Sequence, residues 1–133
     1  MSSYYRPTKF DITALKAANL AARGIHPPQA WQTAAMEVFP DNPASQAKGC
    51  PKSAFLGLAE EGHIKDIRPG RYTTSLDNKR YALTALELLR LDESLALEPK
   101  ELWCRVINGV AKQHNNQMNV VIALWNAKKF LGQ

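Results

Sequence analysis

Proline and glycine punctuate this chain more firmly than any other feature. All but two of the 8 prolines and 7 glycines in its 133 residues fall at the edges of apolar stripes, not inside them. Such placement supplies helix starts and stops at short intervals. The first helix opens near Thr8, which caps it with Asp11 three residues on. Phe10, Ala14, Ala17, Ala18 and Ala21 share its apolar face, and Gly24 ends it. Pro27-Pro28 starts a second helix with Trp31, Ala34, Ala35 and Val38 on one stripe, closed by Pro40. Asn42-Pro43 begins a short segment that runs to Lys48. Pro51 then starts a helix through Phe55, Leu56, Leu58 and Ala59 to Glu61, with Gly62 after it.

The later segments follow the same logic. Ser75 or Asp77 caps a helix carrying Tyr81, Ala82, Ala85, Leu86, Leu88 and Leu89 to about Leu91. Pro99 opens the cleanest stripe, made of Leu102, Trp103, Val106, Ile107 and Val110. A break at His114-Asn115-Asn116 precedes a last helix with Met118, Val121, Ile122, Trp125 and, near its end, Phe130. The region from His63 to Ser75 differs. Ile64 and Ile67 bracket Lys65-Asp66, Arg68-Pro69-Gly70-Arg71 reads as a turn, and Tyr72-Thr73-Thr74 has strand propensity. The expectation is a mostly α, single multi-helix domain over residues 1–133. Its centre is helix-turn-helix-like, and one small β-hairpin, a wing, lies between Ile64 and Thr74. Trp31, Phe55, Leu58, Leu86, Leu89, Trp103, Ile107, Ile122 and Trp125 are its expected core.

Composition narrows the class. With 45% hydrophobic residues the chain is neither collagen-like nor disordered. Its longest apolar run, Val120 to Trp125, is 6 residues, against about 20 for a membrane span. The start Met1-Ser2-Ser3-Tyr4-Tyr5-Arg6-Pro7 has no secretory h-region, and Cys50 and Cys104 form no metal-ligand pair. A cytoplasmic, non-membrane protein is expected. Three histidines without i+3 or i+4 spacing make no metal site, and no phosphate-cradling glycine motif occurs. Neither a metal, a cofactor nor a catalytic residue is assigned.

Charge placement suggests a partner. The net charge is +5, and Lys65 to Arg80 holds five basic residues against Asp66 and Asp77. Short helix, glycine turn, helix and hairpin is the order a winged helix-turn-helix uses to read DNA. Lys52 and Ser53 would then sit at the recognition-helix N-terminus. Lys65, Arg68 and Arg71 would lie on the wing, with Lys79 and Arg80 flanking. Glu60-Glu61 at the end of the same helix opposes phosphate, and Lys48 stands where such a motif wants an apolar residue.

Gly49-Cys50-Pro51-Lys52-Ser53-Ala54-Phe55-Leu56-Gly57-Leu58, followed by Tyr72-Thr73 and Asn78-Lys79-Arg80-Tyr81-Ala82, resembles a family of small uncharacterised bacterial proteins. The resemblance covers about the middle third of the chain and implies no activity. It marks the Cys50 segment as a family hallmark.

Nucleic-acid binding is thus the leading expectation. The alternative is a helical protein-interaction adaptor whose charge only solubilises it. A third reading is a cysteine-dependent enzyme centred on Cys50, whose thiolate a helix start and nearby lysines would favour. A packed, inert cysteine outweighs that reading. The polar run Asn115, Asn116, Gln117, Asn119 exceeds what capping alone requires.

Overall fold

The computed structural model describes residues 5–133. Helix α1 (Lys9–Ala22) starts at Thr8, whose hydroxyl accepts from the Phe10 N–H while Asp11 Oδ1 accepts from the Thr8 N–H at 2.8 Å. This reciprocal cap satisfies donors that a helix start otherwise leaves open. Gly24 turns the chain at φ +104°, a conformation that penalises any residue with a Cβ. Helix α2 (Pro27–Val38) then runs back along α1. Alanines 14, 17, 18 and 21 on α1 and 30, 34 and 35 on α2 are buried, and their small side chains suit the close packing of the two helices. Helix α3 (Pro43–Gln46) is a single turn capped by Asn42, which accepts from the Ser45 N–H at 3.0 Å.

Helices α4 (Gly49–Glu60) and α5 (Leu76–Leu91) cross at Gly57. A Cβ built there would stand 2.7 Å from Lys79 Cα, so only glycine admits this approach. A 3₁₀ turn (Glu93–Leu97) leads to α6 (Pro99–Ile107), and α7 (Gln117–Asn126) threads the centre. Every residue of α7 from Gln117 to Leu124 is buried, and the helix packs on α1, α4, α5 and α6. Burial all round the helix marks it as the interior element.

Two polar clusters complete that interior, and they account for the polar run before α7. The Tyr5 hydroxyl donates to Asp11 Oδ2, and Asn119 Nδ2 donates to Tyr5 Oη at 3.1 Å. Burial and the bond to Asp11 both push the Tyr5 hydroxyl pKa upward. Gln117, fully buried, donates to Asn78 on α5 and accepts from the Asn115 N–H at 2.6 Å. Asn116 adopts φ +67°, and His114 Nε2 accepts from the Met118 N–H at 3.0 Å, so a histidine serves as cap for α7. Its ring also packs 5.1 Å from Trp103.

The all-α expectation holds, and its finer parts need correction. No hairpin forms between Ile64 and Thr74. The β-bridge found among the described residues joins Ile64 to Phe130, antiparallel. Lys65 N–H donates to the Lys129 carbonyl at 2.8 Å, and Leu131 N–H to the His63 carbonyl at 2.9 Å. Tyr72-Thr73-Thr74 take no strand structure, and it is Ile64 that pairs, with a segment 66 positions away. Phe130 therefore leaves the last helix: α7 stops at Asn126, Lys128 takes φ +56°, and Phe130 turns fully into the core. The helix-turn-helix-like centre is also absent. α3 is one turn, and α4 buries seven residues, Pro51 and Ala54 to Ala59, which makes it a core helix with no protruding face. Ile107 and Trp125 are only partly buried, while the other seven expected core residues are buried. No helix among the described residues is long and apolar enough to cross a membrane.

Candidate functional site

Beyond the bridge at Ile64, the segment from His63 to Ser75 carries no regular secondary structure, and side chains help hold the rest of it in place. Glu60, at the last turn of α4, does most of this. Its Oε1 accepts from the Tyr72 N–H at 2.6 Å and the Thr73 N–H at 3.1 Å. Its Oε2 receives Lys79 Nζ from α5 at 2.6 Å, and Lys79 also reaches Glu61 at 2.5 Å. Lys79 gets there because Gly57 lets α5 lie directly on α4. The Lys79 ammonium and the Tyr72 N–H hold the Glu60 carboxyl down at about 2, and the two carboxylates push the Lys79 ammonium upward. The Glu60 carbonyl accepts from the Gly70 N–H, and the Tyr72 hydroxyl donates to the Arg68 carbonyl at 2.6 Å. Gly70 gives the Tyr72 ring room, since a Cβ there would meet its tip at 2.8 Å.

Held this way, the segment forms one wall of a cleft of about 530 Å³ whose other wall is the α1–α2 turn. Arg23 and His26 come from the turn, while Asp66, Ile67, Arg68 and Tyr72 come from the segment. The His26 and Tyr72 rings meet edge to face at 5.4 Å. A second recess shares Tyr72 and adds Glu60, Arg71, Thr73 and Thr74. Arg23, Arg68 and Arg71 are exposed and carry no carboxylate partner among the described residues.

The seven residues singled out from the sequence do not form one set. Arg68 lines the cleft and Arg71 the second recess, and Tyr72 borders both. Lys79 is engaged by Glu60 and Glu61 and is only 17% exposed, and Arg80 pairs with Asp77 one turn away at 3.2 Å. Lys65 donates to the Lys128 carbonyl at 2.8 Å, anchoring the chain after α7. Lys52 and Ser53 lie in the first part of α4, about 12 Å along the helix from Glu60 at 1.5 Å per residue, and line neither recess. Sequence reasoning missed Arg23 and His26. Their only local signal is an unsatisfied charge beside a helix stop and an aromatic before a proline pair. Cys50 is half-buried and Cys104 exposed, both as free thiols. No cluster of three or more metal-ligating side chains occurs among the described residues.

Fold and cleft together define a small α-helical protein with an arginine-bearing cleft beside the turn between α1 and α2. The chain belongs to a family of unknown function (DUF6979), whose model matches residues 7–130. Comparison with curated proteins and with solved structures finds no match.

Proposed function

We propose that the protein binds single-stranded nucleic acid along the face centred on Tyr72. The observation that carries this reading is the grouping of Arg23, Arg68 and Arg71, none held by a carboxylate, around the aromatic pair His26 and Tyr72. Guanidinium groups suit phosphate geometry, and flanking rings suit unstacked bases. A single strand fits better than a duplex, because among the described residues α4 is a core helix and the 64–74 segment forms no hairpin wing.

Engaging three phosphates gives a slope near −2 for log affinity against log salt on a single strand, at about −0.7 per contact. The double change Arg68→Ala and Arg71→Ala should flatten that slope by about 1.4 and weaken all sequences alike. Lys52→Ala should leave the slope alone, since Lys52 lines neither recess. A titration with a fluorescent single strand decides the matter. Binding weaker than about 10⁻⁴ M at physiological salt, the weak end of non-specific affinity, would refute the proposal and favour a protein-interaction role.

A further inference from the structure

We infer that the cleft between the α1–α2 turn and the 63–75 segment is a subsite for a 5′-phosphorylated ribonucleotide unit, free or at a strand end. This deepens the nucleic-acid reading and assigns the lining residues complementary tasks. Arg23 and Arg68 offer two guanidinium groups to one cleft. A terminal phosphate monoester carries up to two negative charges where an internal diester carries one, so it matches that pair better. Asp66 lines the same cleft, exposed and with no cation within ion-pair distance among the described residues. Asp66 takes φ +64°, a left-handed conformation that aspartate tolerates better than most residues, and this places a carboxylate that would repel a bare phosphate in the cleft. There it can accept hydrogen bonds from ribose hydroxyls, as acidic residues do in dinucleotide sites. His26 and Tyr72 supply ring surface for the base, with buried Ile67 behind them. About 530 Å³ lies within the usual range for small-ligand sites.

Calorimetric titration tests the assignment with adenosine 5′-monophosphate, its 2′-deoxy counterpart, adenosine and inorganic phosphate. The ribonucleotide should bind at least tenfold more tightly than adenosine or phosphate, and about threefold to tenfold more tightly than the deoxynucleotide. Asp66→Asn should close the ribose–deoxyribose gap, and Arg23→Ala with Arg68→Ala should erase the preference for phosphate. All three side chains are exposed, so circular dichroism should show wild-type folding. Inorganic phosphate binding as well as the nucleotide, or a ribose–deoxyribose ratio that Asp66→Asn leaves unchanged, would overturn the inference. RNA oligonucleotides with a 5′-phosphate or a 5′-hydroxyl separate the two proposals. Equal binding of both strands removes the terminal subsite and keeps strand binding. Mononucleotide binding without strand binding does the reverse. Binding of neither defeats both.

Discussion

Replacing Glu60 by Gln removes one negative charge from the point where α4, α5 and the cleft wall meet, and keeps an oxygen for the Tyr72 and Thr73 amides. The Glu60 carboxyl is lowered from 4.5 to about 2 by Lys79 and the Tyr72 N–H. At 1.36 kcal/mol per unit, that depression has a ceiling of about 3.4 kcal/mol. Water reaches the cluster through Glu61, whose side chain is 46% exposed, so screening reduces the expected loss to about 2 kcal/mol. For a chain of this size that is about 8 °C in Tm. The sign with pH follows from the direction. A depressed carboxylate contributes its stability above the unfolded value of 4.5 and loses it as pH falls towards 2. Wild type and Glu60→Gln should therefore differ by about 2 kcal/mol in urea melts at pH 7 and nearly coincide at pH 2. A difference under about 0.5 kcal/mol at pH 7, or one unchanged at pH 2, would refute the reasoning.

Gly57→Ala should destabilise the fold by about 1–3 kcal/mol in denaturant melts, because the new Cβ meets Lys79 Cα at 2.7 Å and outweighs the helix-propensity gain. Phe130→Ala empties a fully buried site and should cost about 3–5 kcal/mol, measurable in the same way. Burial, helped by Arg90 at His63 and Lys48 at His114, lowers both histidines, so wild-type stability should fall as pH drops below about 6.5. In His114→Ala the loss of the α7 cap should cost about 1 kcal/mol at pH 7.5 and shrink that step.

Several helix starts were legible because their signals are local, whereas the expected ends at Val110 and near Phe130 overran helices that stop at Ile107 and Asn126. Thr8 with Asp11, Asn42-Pro43 and Pro99 each act within one turn, and the structure shows all three at helix starts. The false hairpin arose where a local pattern had a distant partner. Nothing in Ile64 or Tyr72 encodes Phe130, and the left-handed turn at Lys128 that delivers Phe130 to Ile64 has no glycine or asparagine to announce it. The same limit hid the site. Glu60 reads in sequence as a charge opposed to phosphate, whereas its partner Lys79 lies 19 positions on and reaches it only through the space at Gly57. Arg68 and Arg71 were visible as a basic turn. Arg23 joined them only once α1 and α2 had packed.

The bridge between residues 63–65 and 129–131 also sets an order of events during synthesis. Helices α1 and α2 contact mainly each other and can pair as soon as both have emerged, in keeping with early folding of N-terminal elements. The cleft wall cannot: Lys65 and His63 wait for the Lys129 carbonyl and the Leu131 N–H, which the ribosome adds some 64 to 68 residues later. At about 5–20 residues per second that is a delay of about 3–14 s. Throughout it the strand-forming atoms at Ile64 lack their partner, and the cleft acquires its second wall only when the final turns of the chain have been made.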